Sequence, residues 1–274
     1  MRNTMKKVKL FLSILISLYS IKAFSQEDSW DVYLAQYEKG PGSTLINMSA
    51  KKYAPKSDLP FVVITGVTFK DCTPQGMPTE NQFPELYKIS DSISDILKTK
   101  TLNVSVATFT YQCERLEYFY AKDTFGLRDA LMTLYSRSFK NYKSYINFRE
   151  DKSWSTYLEF LYPNDETFEF MKNQKVLSKL YDSGDNHEKA RQVDHWIYFS
   201  TEQDRDCFVK YVTYQNFKIE EQEKLNTSKM AYKLHISRND KINIEAISKI
   251  TLELKKHAES CNGDYDGWET FVVK

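Results

Sequence analysis

Asn262-Gly263-Asp264-Tyr265-Asp266-Gly267-Trp268-Glu269-Thr270 is the stretch on which the reading of this chain turns. It sets two glycines, two aspartates, a tyrosine and a tryptophan between an amphipathic segment and an apolar end, Phe271-Val272-Val273. Asn262-Gly263 is a fitting C-terminal cap for a helix, and a last strand is expected to start near Trp268. The alternating aspartates do not make a calcium loop, because no Glu stands at the twelfth position such a loop requires. Two readings of the rings stay open: Tyr265 and Trp268 pack into a sheet while the glycines supply turns, or they form a surface patch that anchors a protein partner.

Immediately upstream, Ile244, Ile247, Ile250, Leu254 and Ala258 recur at helical spacing. Before them come strand-like runs at Met230–Ser237 and Phe217–Glu223, then a helix bearing Phe208, Tyr211 and Val212 and capped by Thr201, then the strand Asp194–Ser200. From His195 the order is strand, helix, strand, strand, helix, strand. One further strand, Trp154–Leu161 stopped by Pro163, and one helix, with Phe168, Met171, Val176, Leu177 and Leu180 on its face, are expected in front. Asp165 is the expected cap of that helix, with a break near Asn173 and an end at Gly184.

The first half repeats the pattern without repeating the residues. Trp30–Ala35 and Thr44–Met48 read as paired strands. Leu59–Phe69 is a strand with the continuous run Phe61-Val62-Val63-Ile64, and Leu86, Ile89, Ile93, Ile96 and Leu97 mark a helix. Val104–Phe109 and Leu116–Tyr120 are strands joined around Cys113; Leu127, Ala130, Leu131 and Leu134 mark a second helix, and Tyr145–Phe148 a closing strand. The expected fold class is α+β, two tandem ferredoxin-like βαββαβ sandwiches, the second with an extra N-terminal strand and helix. A charged linker at Arg149–Ser153 divides a domain at 26–150 from one at 151–274.

Residues 1–25 read as a signal peptide, with Arg2, Lys6, Lys7 and Lys9 before an apolar run Leu10–Ile21 and a small-x-small site at Ala23-Phe24-Ser25. That run is short for a membrane span, so export to the periplasm or beyond is expected, with Gln26 as the first mature residue. Without the leader, Lys and Arg number 33 against 37 Asp and Glu, and the whole excess lies in residues 151–274. An acidic balance disfavours direct nucleic-acid binding, which needs a basic face. Cys72, Cys113, Cys207 and Cys261 fall two to each half. One disulfide per half and four buried thiols are equally compatible with that spacing.

Catalytic spacings are missing: there is no His-Glu-x-x-His, Gly-x-Ser-x-Gly or phosphate-binding loop. The densest polar cluster is Gly184-Asp185-Asn186-His187-Glu188 with Asp194-His195. It supports a competing reading, an exported enzyme using His187, His195 and nearby carboxylates. No metal and no cofactor is expected.

Trp154, Tyr162-Pro163, Lys175-Val176, Gly184-Asp185, Arg191-x-x-Asp194-His195-Trp196-x-Tyr198-Phe199, Ser237-Arg238 and Gly263-x-Tyr265-Asp266-Gly267-Trp268-Glu269 together resemble the regulator of ribonuclease activity B family over residues 153–274. The resemblance implies a ferredoxin-like fold and a non-catalytic protein that inhibits the RNA-degrading endonuclease E by binding it. The expected binding residues are Asp185, Arg191, His195, Trp196, Tyr265, Asp266 and Trp268. Residues 26–150 are similar to a domain-of-unknown-function family, number 695, on Trp30-Asp31-Val32-Tyr33, Pro60-Phe61-Val62 and Thr110-Tyr111-Gln112-Cys113-Glu114-Arg115. A cytoplasmic regulator has no use for a leader. The expected partner is therefore a protein met outside the cytoplasm, or a ribonuclease if the chain stays inside.

Overall fold

In β3 (Phe61–Thr68) every residue from Val62 to Val67 is buried, which requires cover on both faces of the sheet that contains it. The computed structural model describes residues 28–226 and 229–274; the expected leader lies outside the described residues. Around β3 the first sheet assembles β1 (Trp30–Tyr37), β2 (Gly40–Asn47), β4 (Asn103–Tyr111), β5 (Glu114–Ala121) and β6 (Lys143–Glu150) in the order β1-β2-β4-β5-β3-β6, with every pairing antiparallel. Helices α1 (Phe83–Lys100) and α2 (Leu127–Ser138) bring Leu86, Ile93, Leu97 and Leu131 onto Val63, Val67 and Phe119. The β4–β5 turn places both Gln112 and Cys113 at positive φ, the geometry of a tight two-residue hairpin. The Cys72–Cys113 disulfide ties that turn down.

The opposite face is covered by a segment expected to be a strand. Thr156–Leu161 forms a π-helical turn instead. Its organiser is Asp151, buried where a linker was expected. The Asp151 carboxylate accepts from the Tyr120 hydroxyl at 2.6 Å, from the Ser155 and Thr156 amides, and from the Ser153 and Ser155 hydroxyls. Burial opposes its ionisation, but these donors outweigh burial and hold the carboxyl well below the usual range. The turn then seats Trp154, stacked on Tyr120 with centroids 3.9 Å apart and bonded through Nε1 to the Leu59 carbonyl. Tyr157 donates its hydroxyl to the Asn47 carbonyl, and Leu161 completes the layer.

Next comes α3 (Asp165–Asp182), capped by Asn164 rather than by Asp165. It is unbroken at Asn173, whose amide bonds Ser248 and Thr251 rather than disrupting the helix. Met171 of α3 enters the first core, and Lys175 pairs with Asp31. The second sheet has the antiparallel order β10-β7-β9-β8, from β7 (Arg191–Phe199), β8 (Lys218–Lys224), β9 (Tyr232–Asp240) and β10 (Gly263–Glu269). Helices α4 (Glu202–Tyr214), capped by Thr201 as expected, and α5 (Ile244–Ser260) cover one face. The Cys207–Cys261 disulfide joins the two helices. Both cysteine pairs are thus disulfides, one in each half. Among the described residues no helix is long and apolar enough to cross a membrane.

The stretch from Asn262 to Thr270 departs most from expectation. Asn262, at φ 54°, does end the helix, but the strand begins at once. Gly263–Glu269 is β10 itself, whereas Phe271 and Val272 lie exposed beyond it. A bulge between Tyr265 and Gly267 resets the alternation, so Tyr265 and Trp268, three apart, both face inward. Neither glycine makes a turn. A Cβ on Gly263 would lie 2.2 Å from the Phe199 ring, and Gly267 follows the bulge at φ +155°.

Candidate functional site

Alternation along β7 sorts the expected binding residues. Val193, His195, Ile197 and Phe199 point to the helices, and Asp194, Trp196 and Tyr198 to the other side. His195 is fully buried, its Nδ1 2.9 Å from the Tyr265 hydroxyl and its ring against Phe217. Burial, with Arg238 and His235 nearby, lowers its pKa to about 3, and burial raises that of Tyr265 well above the phenol value. The pair is therefore neutral and inward. Trp268 is also inward and donates Nε1–H to Asn173 at 2.8 Å.

Asp185 and Arg191 meet in a second place. Their ion pair is buried, the Val273 amide donates to the same Asp185 oxygen, and the guanidinium also reaches the Asn186 and Phe271 carbonyls. Burial would raise the Asp185 pKa, but the Val273 amide and Arg191 lower it on balance. This clasp fixes the segment after β10 against the start of β7. His187 lies beside it, Nε2 3.6 Å from Asp185, and borders a groove of about 570 Å³ with Tyr181, Phe170 and Glu188. Glu188 is hydrogen-bonded to Asn243. His187 and His195 have separate partners and share no contact, and no group of three or more potential metal ligands occurs among the described residues.

What remains is the open face of the second sheet. Directly opposed residues share a face, so the register lays out three rows. Glu269, Asp194, Ser237 and Lys218 form the first; Gly267, Trp196, His235 and Glu221 the second; Asp264, Tyr198, Lys233 and Glu223 the third. Glu220, at the β8 bulge, accepts from the Ser237 hydroxyl on this face. Six carboxylates thus face two lysines. Both lysines are engaged by β8, Lys218 with Glu220 and Lys233 with Glu221 and Glu223. At the centre Trp196 stacks on His235, centroids 4.9 Å apart and planes 11° from parallel, while His235 Nε2 bonds Asp194 at 2.8 Å.

Residues 171–270 match the family model Regulator of ribonuclease activity B. Residues 28–162 match the Family of unknown function (DUF695). No curated protein matches the chain. The segment similar to Regulator of ribonuclease activity B holds the second sheet entire, with α4, α5 and the C-terminal part of α3. The DUF695 segment runs past the expected linker to Tyr162, taking in Trp154 and the turn over the first sheet. Of the expected binding residues, only Trp196 and Asp266 reach the surface of the regulator-like segment. His235, Asp264 and Glu269, which flank Trp196 or Gly267, were missed. The alternation of β7 would have separated Trp196 from His195, but pairing these three with it required the strand register.

Proposed function

We propose that the chain is a non-catalytic regulatory module that binds a protein partner through the open face of its second sheet, around Trp196. The carrying observation is an aromatic stack at the centre of a largely charged sheet face, inside the segment that matches Regulator of ribonuclease activity B. In this reading both halves are ferredoxin-like units. The sheet order β10-β7-β9-β8 and the corresponding β6-β3-β5-β4 within the first sheet support that, each built from a strand-helix-strand-strand-helix-strand path. The boundary between the units falls after Tyr162, at Pro163. The chain is exported after loss of residues 1–25, a reading supported by one disulfide in each half. Its partner is then an extracytoplasmic protein; a ribonuclease is the partner if the leader is retained.

A photo-crosslinking amino acid at position 196, with position 256 on α5 as control, tests the binding face in the native cell. The expected result is a discrete protein adduct from 196 and none from 256. Adducts from 256 alone, or from neither, sink the reading. Intact mass of the recovered protein, beginning at Gln26 or at Met1, decides which compartment supplies the partner.

A further inference from the structure

Among the described residues the one ring stacked on the Trp196 indole is His235. His235 covers the β9 side. On the β10 side the opposed residue is Gly267, and a Cβ built there meets nothing within 4 Å. The result is a slot with an indole for its wall and glycine backbone for its floor. Asp264 stands at one end and Glu269 and Asp194 at the other, and no Lys or Arg of the described residues pairs with any of the three. The outer side of the same glycine opens on a cavity of about 190 Å³ between β10 and α3, shared with Asp266, Glu169 and Lys172. Glu169, with a side chain 1% exposed, forms an ion pair with Lys172 at 3.6 Å. The slot is therefore bounded by carboxylates at both ends.

We propose that this slot receives the guanidinium of an arginine carried by a basic segment of the protein partner. The inference rests on the open-face reading above and names the chemistry of what docks there. A guanidinium is planar, so it can lie as the third layer of the His235–Trp196 stack, and indole is the best aromatic surface for a cation. Its fork of donors reaches carboxylates at the slot ends in a way a lysine ammonium cannot. Nucleic acid is the wrong sign for this face. The arrangement also gives Gly267 a purpose beyond the bulge, since any side chain there would fill the slot.

The test uses the full chain with labelled tryptophan indoles and the amidated peptide Gly-Arg-Gly-Arg-Gly, against its counterpart in which neutral citrulline replaces both arginines. The indole resonance that disappears in Trp196→Phe is expected to shift saturably with the arginine peptide at low salt, and the citrulline peptide to bind about tenfold more weakly. The exposed double variant Asp264→Asn/Glu269→Gln should keep the wild-type urea midpoint and bind the arginine peptide several-fold more weakly. Equal response to citrulline, undiminished binding by the double variant, or no movement of the Trp196 indole overturns the proposal. If position 196 still crosslinks a protein in any of those cases, the binding face stands and only the arginine assignment falls.

Discussion

Four strands of the first sheet and the whole of the second follow the same path of strands and helices, yet among the described residues one sheet has both faces covered and the other only one. In the first, Trp154, Tyr157 and Leu161 close the face that α1 and α2 leave, and Val62, Ile64 and Tyr120 beneath them are buried. In the second, the equivalent face carries Asp194, Trp196, Tyr198, Lys233 and His235, none of them fully buried. The lesson is that one strand path serves two ends. Where a chain segment supplies the second layer, the face becomes core; where none of the described residues does, the face stays polar around the Trp196–His235 stack. The comparison can be broken at four points.

The largest effect belongs to the cover. Trp154→Ala removes a stacked, fully buried indole and leaves the Leu59 carbonyl without its donor. A loss of about 3–5 kcal/mol in urea unfolding is expected. Trp196→Ala, which removes a half-buried ring from the bare face, should cost well under half as much. Equal losses would mean that the second face is core as well.

The disulfides come next. Cys72–Cys113 and Cys207–Cys261 close loops of similar separation, 41 and 54 residues. On chain entropy each contributes about 4 kcal/mol. Cys207→Ser/Cys261→Ser should therefore destabilise as much as the other pair, but hydrogen exchange should rise first in the second sheet, which has no second layer among the described residues. Uniform acceleration across both sheets would show that the halves unfold as one unit.

Strands with clean alternation or continuous apolar runs, β3 and β7 among them, and the regular faces of α1 and α5 were legible because burial repeats at the period of the element. Trp154–Leu161 was not. Its density of apolar residues reflects contact with a sheet face, and what makes it turn is the distant pairing of Asp151 with Tyr120. Tyr265-Asp266-Gly267-Trp268 misled for a local reason, since a bulge changes the period that a strand reading relies on. His195 and Trp196, adjacent in sequence, belong to opposite faces, so the expected site mixed core with surface. With two cysteines in each half the sequence offered Cys72 as the partner of Cys113, and the fold decided for that disulfide over two free thiols.

Acidification should separate the two cores more gently. His195 titrates near 6.5 when unfolded and at about 3 when folded. Below pH 6.5 the unfolded chain therefore binds a proton that the folded chain refuses. Stability is full above pH 6.5 and falls as pH drops toward 3, by about 2 kcal/mol at pH 5. His195→Gln, which keeps a hydrogen-bonding group for Tyr265, should flatten the dependence of the melting temperature between pH 6.5 and 4. Asp151 and Asp185, both lowered in the folded state, add their losses only as pH falls through the carboxylate range. An unchanged slope in His195→Gln would place the acid lability elsewhere.

The smallest effect on stability is expected at Gly267, where the bare face is narrowest in its demands. An alanine there meets no atom within 4 Å, so the only cost is backbone strain at φ +155°, about 1 kcal/mol. At Gly263, on the covered side of the same strand, the added methyl would strike Phe199. If Gly267 matters for what it leaves empty, Gly267→Ala should weaken the arginine peptide far more than it lowers the urea midpoint. If instead stability drops as it does for a core substitution and peptide binding is unchanged among the molecules still folded, the glycine serves the bulge alone. The vacancy beside Trp196 would then follow from the strand's geometry and would not be a recognition feature.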